Sequence, residues 1–114
     1  MSEREIQQQI RLSTSKHKCR LFRNQVGHYT LSDGRHLTSG LCVGSSDLIG
    51  WTELEITPDM LGQTVAIFTA VEVKTATGRI TKEQSQFISA VNKAGGFGGV
   101  CRSVEDALCV IGKK

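Results

Sequence analysis

Residues 64–75 read TVAIFTAVEVKT. Few stretches of the chain are so continuously apolar and β-branched. Such a run predicts a strand covered on both faces and therefore central in its sheet. Its end changes character at Glu72-Val73-Lys74. Side chains alternate along a strand, so Glu72 and Lys74 share one face while Val71 and Val73 share the other. A charged pair at the end of a buried strand is costly unless it has partners or a task.

On the C-terminal side, residues 76–79 form a turn around Gly78. Thr81 followed by Gln84 is a capping box that opens a helix. Phe87, Ile88, Val91 and Ala94 make its apolar stripe, and Gly95-Gly96 stops it. Residues 97–101 read as a strand. Ser103 caps a last helix over 104–111, and Gly112-Lys113-Lys114 is a frayed tail. On the N-terminal side, residues 52–63 hold the sole proline, Pro58, and predict a loop with a helical turn after Thr57. Residues 47–51 (DLIGW) read as a strand, as do residues 19–26 in part. Asp33-Gly34 marks a hairpin between residues 29–31 and 36–37. Ser2 and Glu5 form a capping box for a first helix that ends near Lys16–Lys18. Ile6 and Ile10 repeat at i, i+4, and Glu3 shares their inward face. This order of elements predicts an α/β fold, a mixed sheet with helices on its faces.

The chain has 114 residues, 39% hydrophobic and 22% charged. These values predict a single soluble domain over residues 1–114, with one core and no second catalytic domain. No apolar run is long enough to span a bilayer. The polar start, MSEREIQQQI, lacks a signal-peptide core, so a cytoplasmic location is expected. Four cysteines form no Cys-x-x-Cys pair. Cys42, Cys101 and Cys109 sit in apolar company and are expected to be reduced, mostly buried thiols. His17, His28 and His36 are not spaced to complete a zinc site. The net charge is only +3, but residues 1–36 hold seven Lys or Arg against three acids. Glu53, Glu55 and Asp59 form an acidic segment further on. A basic face and an acidic edge are expected, although charge alone does not separate a nucleic-acid partner from a solvated surface.

Asp47 follows two small residues at the mouth of a strand. With Glu72 it makes a pair of hard oxygen donors suited to a magnesium ion, to which the Val73 carbonyl, waters and a substrate phosphate would add. Lys74 on the face of Glu72 is then placed to orient or deprotonate a water, or to stabilise charge on a phosphate. A structural ion pair near a sheet rim is the alternative for these residues.

The set Asp47, Glu72-Val73-Lys74, Gly78-Arg79 and Gln84 resembles the PD-(D/E)XK nuclease superfamily. More closely, the chain resembles the virus-type replication-repair nuclease (VRR-NUC) domain in its small, stand-alone phage-type form. The resemblance runs through Glu3…Ile6-Gln7, Leu21-Phe22-Arg23-Asn24…Gly27, Gly44-Ser45-Ser46-Asp47-Leu48-Ile49-Gly50, residues 68–75, Glu83-Gln84, Gly95-Gly96 and residues 102–107. It implies a restriction-endonuclease-like mixed β-sheet core flanked by α-helices. It also implies Asp47 and Glu72 as metal ligands, Lys74 as the catalytic lysine, and Glu3 and Gln84 at the active site. Ser46 stands where the superfamily name has proline. Gln84 also has a purely structural reading, as does Glu3 at a helix N-terminus; Gln7, one turn on, is a further candidate. Arg23, Asn24, Arg79 and Lys82 are expected to contact DNA, although an exposed strand arginine reads Arg23 equally well. Trp51 reads as core or interface.

The implied activity is a metal-dependent endonuclease using Mg2+, with Mn2+ able to substitute, on branched DNA such as four-way junctions. The implied assembly is a homodimer with no membrane partner, in a bacterial or phage-infected cell. A catalytically inactive nucleic-acid-binding module and a structural phage subunit are the rival readings.

Overall fold

The computed structural model describes residues 1–112, so the Lys113-Lys114 end of the expected tail lies outside the described residues. The fold is mixed α/β. In chain order the elements are α1 (Glu3–Thr14), a 3-10 turn (Ser15–His17), β1 (Cys19–Arg23), β2 (Gly27–Thr30), β3 (His36–Ser39) and β4 (Leu48–Thr52). A second 3-10 turn (Pro58–Met60) is followed by β5 (Thr69–Val73), α2 (Lys82–Lys93), β6 (Phe97–Cys101) and α3 (Val104–Val110). The strands form three two-stranded sheets among the described residues: β1–β4, β2–β3 and β5–β6. Contacts divide the chain into two compact units, Met1–Leu54 and the residues from Glu55 onward. No described helix is long and apolar enough to cross a membrane.

In the first unit, the capping box at Ser2 and Glu5 forms as expected. The Glu5 amide donates to Ser2 Oγ at 3.1 Å, and the Ser2 amide donates to Glu5 Oε2 at 2.9 Å. Lys18, in the left-handed region with φ 58°, ends the following 3-10 turn. The inward face of α1 is not the expected one. Gln7, Arg11 and Thr14 are half-buried, while Ile6 and Ile10 are 43% and 42% exposed. Arg11 causes this orientation in part, because its Nε donates to the Leu21 carbonyl of β1 at 3.0 Å. Glu3 is exposed in the first turn, where its charge favours the helix dipole.

Strands β1 and β4 pair antiparallel, with Leu21 opposite Gly50 and Arg23 opposite Leu48. A Cβ at Gly50 would lie 1.7 Å from the Arg20 carbonyl oxygen, so the close approach of the strands requires glycine. On the other face, Phe22 and Trp51 pack with ring centroids 5.6 Å apart. The Arg20 guanidinium lies over both rings, at 5.0 and 5.5 Å, a cation–π arrangement that covers the aromatic pair. The β2–β3 hairpin turns at Asp33-Gly34, where Asp33 accepts from the Arg35 amide and from Arg35 Nε.

In the second unit, β6 pairs in parallel with β5, Ala70 opposite Gly98 and Glu72 opposite Val100. Both helices contact β6, and glycines make room for them. A Cβ at Gly98 would press on Ile88 of α2, and one at Gly99 would lie 2.6 Å from Val110 Cγ2 of α3. Asn92 of α2 brackets Gly98, donating to its carbonyl and accepting from its amide. Those bonds occupy backbone groups that would otherwise lie unpaired on that edge. Val91 and Cys101 are the deepest side chains, at 1% and 3% exposure. Burying a valine in this way contributes about 1.5–3 kcal/mol.

Three expectations need correction. The strand predicted over 64–75 is confined to Thr69–Val73 and has β6 as its partner in a two-stranded sheet, so it is not central. Val71 and Val73 are 41% and 73% exposed, since β-branched composition favours a strand without dictating cover on both faces. Cys42 and Cys109 are exposed and only Cys101 is buried. Cys42 sits in a loop held by its backbone, which leaves the thiol outside.

Candidate active site

Asp47 stands where the loop 40–46 enters β4, and Asn24 fixes that entry. The Asn24 amide donates to the Asp47 carbonyl at 2.8 Å, extending the β1–β4 ladder by one step. Its side chain spans the loop. Nδ2 donates to Ser45 Oγ at 2.7 Å and to the Ser46 carbonyl at 2.8 Å, and Oδ1 accepts from the Leu41 amide at 2.9 Å. Ser45 Oγ donates in turn to the Cys42 carbonyl at 2.7 Å. Gly40 begins the loop with φ +79°, and a Cβ there would lie 2.9 Å from the Gln25 carbonyl oxygen. Residues 40–46 are therefore folded back on residues 24–26.

The result is an open cleft of about 360 Å³ in the first unit, lined by Gln7, Arg23, Asn24, Tyr29, Ser45 and Asp47 among others. Within this unit the exposed Asp47 carboxylate has no hydrogen-bond or ion-pair partner. Gln7 is the α1 side chain that lines this cleft, and Glu3, expected at the active site, is not among its lining residues. The two differ by four residues, just over one turn, and α1 leaves Glu3 at its exposed end. Sequence reasoning missed Tyr29 altogether. Its signal was Gly27: a Cβ there would lie 2.6 Å from the Tyr29 hydroxyl, so the glycine makes room for the ring to fold back.

Asn24, expected to contact DNA, has a structural task in its unit. Both Nδ2 hydrogens are engaged inside the chain, so the side chain has no donor left for a phosphate. It acts as a clamp on the Asp47 loop. Arg23, by contrast, is exposed and carries no ion pair within its unit.

The second unit carries Glu72, Val73, Lys74 and Gln84. Glu72 and Lys74 share the half-buried face of β5, with Lys74 Nζ 3.8 Å from Glu72 Oε2. A pair that long contributes under about 1 kcal/mol, so it ties down neither group strongly. The Lys74 amide donates to the Cys101 carbonyl at 3.1 Å. Backbone alternation therefore turns the Val73 carbonyl away from β6, toward the edge of β5 with no strand neighbour in this sheet. Ala70, on the same face as Glu72, is opposite Gly98, which packs against Ile88. Gln84 lies one turn before Ile88 on α2.

Gln84 closes the capping box: its amide donates to Thr81 Oγ1 at 3.1 Å, and its Oε1 accepts from the Thr81 amide at 2.9 Å. Its Nε2 hydrogens are not used by that box. Arg79 and Lys82 are exposed just beyond β5. Arg102 is committed to structure, since its Nη1 donates to the carbonyls of Thr75 and Gly78 and so fastens the β5–α2 turn to the start of α3. Among the described residues, no three His, Cys, Asp or Glu side chains cluster as a metal site.

The donor chemistry of each unit suits a hard divalent cation. In the first unit Asp47 offers an unencumbered carboxylate; in the second, Glu72 offers a carboxylate with one loose ion-pair partner among the described residues, and Val73 a strand-edge carbonyl. Magnesium is commonly held by one or two carboxylates, with waters and substrate oxygens completing its shell.

No curated protein and no solved structure matches the chain. The model of the VRR-NUC domain matches residues 1–105 of the 114. That match contains the clamped Asp47 loop, the Glu72-Val73-Lys74 strand and the capped helix with Gln84. The chain therefore belongs to the VRR-NUC family of nuclease domains.

Proposed function

We propose that the chain is a metal-dependent, structure-selective DNA endonuclease that hydrolyses phosphodiester bonds in branched DNA such as four-way junctions. Family membership supplies the nuclease activity and nucleic acid as its substrate. The observation that carries the finer reading is the state of the acidic donors: Asp47 is held by its backbone with its carboxylate unpaired in its unit, and Glu72 has a single, 3.8 Å ion pair, to Lys74, among the described residues.

In this reading Asp47 and Glu72 would hold Mg2+, with Mn2+ able to substitute, and the Val73 carbonyl would add an oxygen donor. When bound, the cation would polarise the phosphoryl oxygen and lower the pKa of water. Lys74 orients the attacking water or neutralises charge developing on the phosphate. Gln84 directs the Nε2 hydrogens left over from its cap toward substrate or water. Glu3, exposed in the first turn of α1, is the first-helix acid of this reading. Arg23, Arg79 and Lys82 contact the DNA backbone, which positions the substrate without reading its sequence. Selectivity then rests on DNA shape.

A homodimer completes the proposal, because two sites related by a two-fold axis suit the two strands cut in a four-way junction. Leu54, Ile56 and Leu61 are 65%, 76% and 93% exposed, and the acidic segment around them is one that DNA avoids, so we assign the interface to residues 53–61.

The test is incubation with labelled duplex, flap and four-way-junction DNA, with and without magnesium. Junction cleavage that requires magnesium and is abolished by Asp47→Ala and by Glu72→Ala supports the proposal. Wild-type cleavage by either variant overturns the metal assignment. Binding without cleavage under every metal condition would leave an inactive nucleic-acid-binding module.

A further inference from the structure

Beside the Asp47 cleft, the first unit has a second cavity of about 240 Å³, lined by Arg4, Gln7, Gln8, Arg11 and Arg23. Residues 4, 7, 8 and 11 fall on one face of α1 by their i, i+3, i+4, i+7 spacing. Arg23, at the end of β1, supplies the opposite wall. The lining contains three guanidiniums, two amides and no carboxylate. None of the three arginines is ion-paired within the unit. Three like charges around one cavity repel each other unless an anion joins them. Arg4 also stands in the first turn of α1, where the helix dipole disfavours a cation. Arg11 is held in place through its Nε, which donates to the Leu21 carbonyl. Arginine has five N–H donors, so four remain on Arg11 to address a ligand. Gln7 and Arg23 line both this cavity and the Asp47 cleft, so the two are contiguous.

We propose that Arg4, Arg11 and Arg23 form a phosphate subsite that seats the nucleic-acid backbone next to Asp47. Planar guanidiniums match phosphate oxygens bidentately, and Gln7 and Gln8 add neutral donors between them. The choice of nucleic acid as ligand rests on the nuclease reading; the subsite itself does not depend on a metal.

The experiment is fluorescence anisotropy of a labelled duplex in EDTA between 50 and 200 mM salt. It compares the wild type with the double variant Arg4→Gln/Arg23→Gln. Both residues are exposed, and Arg11 is left intact because it anchors α1 to β1. Two lost phosphate contacts should flatten the slope of log K against log salt by about 1.8. From that counterion contribution alone, affinity at 0.1 M salt should fall roughly sixty-fold. Arg4→Lys/Arg23→Lys should restore the slope, since the charge returns. Arg35→Gln is the control, because Arg35 pairs with Asp33 in the β2–β3 turn, and it should leave the slope unchanged. Far-UV circular dichroism confirms that each variant is folded. An unchanged slope in the double variant, or an equal fall in the Arg35→Gln control, overturns the subsite. Displacement of the labelled duplex by inorganic phosphate as readily as by unlabelled duplex also overturns it, by reducing the cavity to a site for the free ion. Because binding is read without metal, a protein that shows the expected slopes but never cleaves refutes the nuclease reading and not the subsite.

Discussion

Asn24→Ala tests whether the Asp47 loop is held by one side chain. The substitution removes the bonds to Ser45 Oγ, the Ser46 carbonyl and the Leu41 amide. Each is worth about 0.5–1.5 kcal/mol net, and here the low half of that range applies because the loop partners can rehydrate. The expected loss is roughly 2 kcal/mol, or a fall of about 10 °C in Tm for a chain of this size. Asn24→Asp is the sharper variant. It keeps the acceptor for Leu41 but sets a carboxylate oxygen against the Ser46 carbonyl, so it should be at least as damaging as alanine. Loosening the loop also moves Asp47, and a shift near 1 Å typically slows catalysis about 10²-fold. Thermal melts, single-turnover cleavage and DNA binding, measured on the same preparations, separate the roles. Reduced Tm and reduced rate at unchanged DNA affinity support the clamp. Reduced affinity at unchanged Tm would refute it and return Asn24 to the DNA surface.

Lys74→Ala should leave metal binding largely intact while slowing single-turnover cleavage by about 10²–10⁴; collapse of metal affinity with unchanged chemistry would make Lys74 a mere counter-ion. Gln84→Glu retains an acceptor for the Thr81 amide, so Tm should hold while cleavage slows if the Nε2 hydrogens serve the site; unchanged cleavage leaves Gln84 as a cap alone. Light scattering at micromolar protein should give twice the 12.4 kDa chain mass, and Ile56→Lys should shift it toward monomer. A monomer that cuts both strands of a junction in one binding event counts against the dimer.

Both capping boxes were legible in the sequence because the groups that make them lie three residues apart. The strand over Phe97–Cys101, the 3-10 turn after Thr57 and the Asp33-Gly34 hairpin were legible for the same reason: glycine, proline and aspartate act on their immediate neighbours. Pairing was not. The order of elements predicted the mixed α/β fold, but not that the described strands pair as β1–β4, β2–β3 and β5–β6. The Asn24 clamp was equally hidden, since its partners lie 17 to 22 residues away and an Asn-to-backbone bond leaves no periodic trace.

The misread faces share a physical cause. Pattern reading turns the apolar side of each element inward, and on α1 and β5 the chain does otherwise. Gln7 and Arg11 are half-buried while Ile6 and Ile10 are over 40% exposed; Glu72 and Lys74 are half-buried while Val73 is 73% exposed. Each inversion costs transfer free energy, about 25 cal/mol per Å² of apolar surface left in water. Part of that cost is offset on α1, where Arg11 donates to the Leu21 carbonyl; on β5 the 3.8 Å pair of Lys74 with Glu72 offsets little. A sequence that departs from its own local pattern tends to do so at functional positions. On α1 the departure lines the clefts beside Asp47, and on β5 it holds the Glu72 and Lys74 proposed for catalysis. If the proposed site is right, both inversions fall on it, whereas the charge balance, at +3, decided little.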